Sequence, residues 1–129
     1  MRVLLDTHVW LWRLLEPERL PEIIVRALDN SETEVCLSPI SVWETLVLVR
    51  KGRLELSPNK DSWVRAALQA SRPTMMPLTH EIAIESEMLE AFPSNDPADR
   101  FLVATARVEG LALATVDQAM IEFTGVDVV

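Results

Sequence analysis

Glycine is scarce. Only Gly52, Gly110 and Gly125 occur in 129 residues. A glycine-rich phosphate loop of either common type is therefore absent, which excludes nucleotide binding through such a loop. Cysteine is limited to Cys36, so there is no intramolecular disulfide and no Cys-rich zinc site. One cysteine also fits a reducing compartment. Long apolar runs are missing: Val3 to Leu5 is broken by Asp6, too short for a signal peptide or a membrane span. The expectation is a soluble cytoplasmic protein that does not enter a membrane. Positive charge is scarce in one region only. Residues 73–129 hold 2 bases, Arg100 and Arg107, against 10 acids, whereas residues 1–72 balance 10 against 10. The formal charge of −8 thus belongs to the C-terminal part.

What is present indicates an ordinary folded domain. An apolar fraction of 49% with 25% charged residues argues against disorder, and the length suits one core. A net negative chain disfavours a generic nucleic-acid or anionic-membrane binder. Residues 50–72 run the other way, with Arg50, Lys51, Arg53, Lys60, Arg65 and Arg72 against Glu55 and Asp61. This basic segment can supply phosphate contacts, although cations at a helix end also complement its dipole.

The pattern alternates strands and helices. Strands are expected at 2–6, 34–38, 74–78, 111–115 and 126–129. Helices are expected from Thr7 to Leu15, Pro21 to Asp29, Pro39 to Lys51, after Ser57-Pro58 up to Pro73, His80 to Ala91, Asp96-Pro97 to Glu109, and Asp117 to Phe123. Ser38-Pro39, Thr79 and Asp96-Pro97 are helix-start signals, and Gly52 and Gly110 are stops. Strands that are apolar throughout imply a parallel sheet covered on both faces, an α/β three-layer domain. Ligands of such sheets bind beyond the carboxyl ends of the strands.

Several acids converge on that edge. Asp6 ends the first strand, and Asp117 lies just past the 111–115 strand. Glu44 sits on the helix after the second strand, and Asp99 in the first turn of the helix opened by Asp96-Pro97. Crowded carboxylates without counter-charge repel and take up protons. A hard divalent cation relieves this, and oxygen donors suit Mg2+ or Mn2+. Metal-assisted phosphodiester hydrolysis follows as the functional expectation. Part of the negative balance would then be a metal site, and one or two ions would bring −8 to about −6 or −4.

Plainer readings stand beside this one. Capping accounts for Asp96 and, through its first-turn position, for Asp99. Asp117 could equally cap the short last helix. Glu44 lies beside an apolar stripe of Ile40, Trp43, Leu46 and Val47, expected to be buried. His8 ranks below the acids as a ligand or acid/base group, and His80 and Cys36 read as structural. Trp10 and Trp12 stand two apart and cannot share a helix face; one would pack inside while the other faces outward, as a partner contact requires.

The residues Leu4-Leu-Asp-Thr-His-Val-Trp-Leu-Trp12, Leu37-Ser-Pro-Ile-Ser-Val-Trp-Glu44, Asp96-Pro-Ala-Asp-Arg-Phe-Leu-Val-Ala-Thr-Ala106 and Leu113-Ala-Thr-Val-Asp117 resemble, in order, the signature blocks of PIN-domain ribonucleases. The resemblance is nearest to the VapC-like toxins of type II toxin–antitoxin pairs. It implies one PIN domain over residues 1–129, a central five-stranded parallel sheet, a Mg2+ or Mn2+ site and endonucleolytic cleavage of RNA. Asp6, Glu44 and Asp99 match the three core acids and Asp117 the more variable fourth. Thr115 matches a supporting polar position, with Thr7 and Asp96 beside the site. Arg50, Lys51 and Arg53 are the candidate RNA contacts. A homodimer and a cognate antitoxin are the implied partners. The alternatives are an aspartate-based phosphotransfer protein, either a phosphatase or a receiver-like domain, and a non-catalytic interaction module. The first wants a second acid two residues after Asp6, where His8 stands; the receiver wants a lysine near the last strand, whereas the lysines are Lys51 and Lys60.

Overall fold

A computed structural model describes residues 1–129. The elements follow the order β1 (Arg2–Leu5), α1 (Thr7–Leu15), a 3-10 turn (Pro17–Arg19), α2 (Glu22–Asp29), β2 (Glu34–Leu37), α3 (Pro39–Arg50), α4 (Lys60–Ser71), β3 (Thr74–Met75), α5 (His80–Glu87), α6 (Pro97–Glu109), β4 (Ala112–Ala114) and α7 (Gln118–Glu122). The strands are parallel, in the order β3-β2-β1-β4. The two apolar clusters divide the strand residues by alternation. Val3, Leu5, Leu37 and Ala114 pack with Val9 and Trp10 of α1, Ile24 and Leu28 of α2, and Val64 and Ala67 of α4. Leu4, Cys36 and Leu113 pack with Leu102, Val103 and Ala106 of α6 and Met120 of α7. Side chains of successive strand residues point to opposite faces, so the sheet is the middle of three layers. Each fully buried Leu or Val contributes about 1.5–3 kcal/mol.

The expected five-stranded sheet is corrected to four strands. The segment 126–129 joins through a single parallel bridge, Leu113 to Val128, with Leu113 N–H donating to the Asp127 carbonyl at 2.8 Å and Val129 N–H to the Leu113 carbonyl at 3.0 Å. β3 is also shorter than 74–78, because Pro77 has no N–H to offer after the Met76 N–H reaches the Leu37 carbonyl at 2.8 Å. Helix α5 stops at Glu87 rather than Ala91: Ala91 takes a left-handed backbone, φ 58°, and Leu89 is buried from a loop. Helix α4 starts at Lys60, two residues after Pro58. No helix is long and apolar enough to cross a membrane.

The expected stripe on α3 is also corrected. Trp43 is 50% exposed, and the buried residues are Ser41 and Thr45. Ser41 faces α1, where the Thr7 hydroxyl donates to its Oγ at 2.9 Å.

Candidate active site

The central strands β1 and β4 end side by side, with Leu5 in register with Ala114. The Asp6 N–H adds one more rung to the Ala114 carbonyl at 2.9 Å. Asp6 and Thr115 are therefore neighbours, and the Thr115 hydroxyl donates to Asp6 Oδ2 at 2.7 Å. Asp6 is also the N-cap of α1, its Oδ1 accepting the Thr7 N–H at 2.7 Å. Both carboxylate oxygens are held, and the residue is 5% exposed. The same Thr115 oxygen accepts the Asp117 N–H at 3.1 Å, which ties the second strand-end acid to the first.

The helices bring the rest. Ser38 caps α3, accepting the Ile40 N–H at 3.0 Å, and the helix carries Glu44 in from β2. Asp96 caps α6, accepting the Ala98 N–H at 2.8 Å, and places Asp99 in the first turn. Asp6, His8, Glu44, Asp96, Asp99, Val116 and Asp117 together line a cavity of about 360 Å³. Asp6, Glu44, Asp99 and Asp117, from four different elements, come together there. Asp96 and Asp117 cap and line the cavity at once, since Asp117 Oδ1 also accepts the Ala119 N–H at 2.9 Å.

The electrostatics of this cavity are strained. Burial pushes the Asp6 carboxyl above its ordinary range, against the Thr115 and Thr7 donors and His8, which pull it down. Burial raises Glu44 as well, with Asp6 and Asp96 adding repulsion. Asp99 is pushed up to about 6, first by burial and then by Asp96, Asp6 and Glu44. Arg100, next to Asp99 in the sequence, does not neutralise the acids. The Arg100 Nε donates to the Ser86 carbonyl at 2.9 Å, its Nη1 to the Ser94 carbonyl at 3.2 Å, and it pairs with Glu87 at 3.3 Å. It ties α6 to α5 and to the loop at Ser94, so its charge is engaged away from the acids.

The donor set fits Mg2+ or Mn2+: oxygen ligands only, with excess negative charge. As the side chains stand, no group of three or more His, Cys, Asp or Glu is placed to hold a metal ion by itself. Mg2+ usually keeps several waters and takes one or two carboxylates plus substrate phosphate, so the fit rests on the chemistry of the donors.

Sequence reasoning missed two partners. The Ser94 hydroxyl donates to Asp99 Oδ2 at 2.9 Å, and Ser41 anchors Thr7. Ser94 carried a faint signal, as a small polar residue two before an N-cap; Ser41 carried its signal three positions before Glu44. Of the candidate RNA contacts, Arg53 lines a groove shared with His8, Glu44 and Asp96. Arg50 and Lys51 are exposed at the far end of α3 and do not line the acid cavity.

Known proteins agree with this architecture. The family model described as PIN domain matches residues 3–126. Over 118 residues, covering 92% of this chain and 88% of the relative, the sequence is 31% identical to Ribonuclease VapC22 of Mycobacterium tuberculosis. VapBC2 from Rickettsia felis, in a complex with a promoter DNA fragment, aligns over 100% of this chain and 98% of that chain with a TM-score of 0.74 and 15% identity. FitAcB from Neisseria gonorrhoeae aligns over 98% and 95% with a TM-score of 0.66 and 26% identity. With its acids at the ends of β1 and β4 and on α3 and α6, the chain belongs to the PIN-domain family, in the company of the VapC-like proteins.

Proposed function

We propose that this protein is a Mg2+- or Mn2+-dependent endoribonuclease and the toxin of a toxin–antitoxin pair. The observation that carries the reading is the convergence of Asp6, Glu44, Asp99 and Asp117 on one cavity from which Arg100 is turned away. The name of the M. tuberculosis relative, a ribonuclease, and the complexes among the similar structures support it. Asp6, Glu44 and Asp99 would hold the cation, with Asp117 joining directly or through water and Asp96 adding charge. When bound, the ion activates water and neutralises charge on phosphoryl oxygens. The chain's own residues orient the site. Thr115 and the Thr7 N–H fix Asp6, Ser94 fixes Asp99, and Arg53 stands where it can meet a flanking phosphate. A homodimer, a cognate antitoxin and a cytoplasmic location complete the proposal.

The test is cleavage of an RNA pool by purified protein with Mg2+, Mn2+ or EDTA, with Asp6→Asn and Asp99→Asn as folded controls. Cleavage should need the cation and vanish in both variants. Retained cation-dependent cleavage by Asp6→Asn would overturn the site.

A further inference from the structure

Trp10 and Trp12 separate in the fold as two unequal residues. Trp10 is 1% exposed in the core. Trp12 instead lines a groove of about 650 Å³ between α1, the Pro17–Arg19 turn, α3 and residues 53–54. Three groove residues, His8, Glu44 and Asp96, also line the acid cavity, so the two depressions run into each other. Trp12 stands one helical turn, about 6 Å of rise, beyond His8 on α1, and the two rings meet edge to face at 6.3 Å and 69°. The Arg19 guanidinium lies over the Trp12 ring at 4.0 Å. Glu16 pairs with that guanidinium at 2.9 Å, which helps orient its plane over the ring.

We propose that the Trp12–Arg19 pair is a stacking subsite for one unpaired base of the RNA, next to the phosphate that reaches the acid cavity. The inference rests on the nuclease reading and adds how the strand is gripped. Indole and guanidinium planes are what single-stranded bases stack on. Charge along the groove supports this occupant. Glu44 and Asp96 mark the end where a cation and the scissile phosphate belong, and Arg53 stands at the outer part. Arg53 makes no ion pair, nor do its near neighbours Arg50 and Lys51, so Arg53 is free to meet a phosphate in the groove.

The experiment measures binding of a labelled eight-nucleotide single-stranded RNA in EDTA, with an abasic site walked along it, to the wild-type protein, Trp12→Ala and Trp12→Leu. Cleavage of the same RNA by wild-type protein with Mn2+ runs in parallel. One abasic position should weaken wild-type binding about tenfold, and both variants should bind intact RNA about tenfold more weakly and ignore that abasic position. Wild-type affinity in Trp12→Leu would show that only apolar contact matters, as for a peptide occupant on Leu11, Leu15 and Leu48, and would overturn the subsite. An abasic profile that is the same in all three proteins also overturns it. Absence of wild-type cleavage strikes the nuclease reading instead. Should Trp12→Ala lose its fold by circular dichroism, Trp12→Leu carries the comparison.

Discussion

Asp99 shows at residue scale what a site without counter-charge does to a protein. Folding lifts its carboxyl from 3.8 to about 6, so between those values the native state binds more protons than the unfolded one. The resulting stability is complete below pH 4 and is lost as pH rises through about 6. Asp6 and Glu44 shift in the same direction. Metal-free protein should therefore be less stable to urea at pH 7.5 than at pH 5. Asp99→Asn should recover about 1 kcal/mol at pH 7.5, after discounting for solvent screening of a half-buried group, and should flatten the pH dependence. An unchanged unfolding midpoint for this variant in EDTA would contradict the repulsion. Mn2+ should reverse the order, raising the melting temperature of wild-type protein but not of Asp99→Asn. Thr115 acts at the same scale. Thr115→Val removes the donor to Asp6 and the acceptor of the Asp117 N–H, a loss of about 1–3 kcal/mol for buried groups. Calorimetry should then find weaker Mn2+ binding in a protein that still folds.

Elements decide which acids arrive together, and capping and chemistry can be separated there. Asp96 starts α6 by accepting the Ala98 N–H, and it also faces the acid cavity. Asn caps as well as Asp, whereas Ala costs about 1 kcal/mol. Asp96→Asn should keep the thermal midpoint within a degree or two while Asp96→Ala lowers it. If the charge serves the metal, both should weaken Mn2+ binding equally; a loss confined to Asp96→Ala would leave Asp96 a cap. The helix starts at Ser38, Thr79 and Asp96 were legible because capping is local: a side chain meets an N–H two or three residues on. Strand-end placement made Asp6 and Asp117 legible too. What stayed hidden needed distant contacts. Helix α3 is apolar nearly all round, so no stripe in its sequence could reveal that Ser41 and Thr45 face inward and Trp43 outward. Ser41 earns its place through Thr7, 34 residues away. The end of α5 at Glu87 is not marked in the sequence by a Gly or Pro, because a loop, not a helix, buries Leu89.

For the molecule as a whole, the puzzle is how a chain of net charge −8 could hold RNA. Ion pairing answers it. Arg2, Arg13, Arg19, Arg26, Arg100 and Arg107 each meet an acid within 4.0 Å, at Glu34, Asp29, Glu16, Glu22, Glu87 and Glu85. None of the six cations between residues 50 and 72 does. The positive charge left over therefore lies in residues 50–72, beginning where α3 runs out from Glu44 into Arg53; of the C-terminal acids, Asp96, Asp99 and Asp117 line the acid cavity, and Glu85 and Glu87 pair with Arg107 and Arg100. Binding of single-stranded RNA releases counterions with a slope of about −0.7 per phosphate neutralised. If Arg50, Lys51 and Arg53 each meet one phosphate, replacing all three by Gln should make the plot of log affinity against log salt shallower by about 2. The comparison is fluorescence anisotropy in EDTA from 50 to 200 mM salt, a range fixed by the size of the expected effect. The same triple replacement made on Arg2, Arg13 and Arg26, whose charges are already met by acids, should leave the slope close to that of the wild type. Equal slopes for both triple variants would mean that RNA is held by some other surface, and the path from α3 into the basic segment would lose its role.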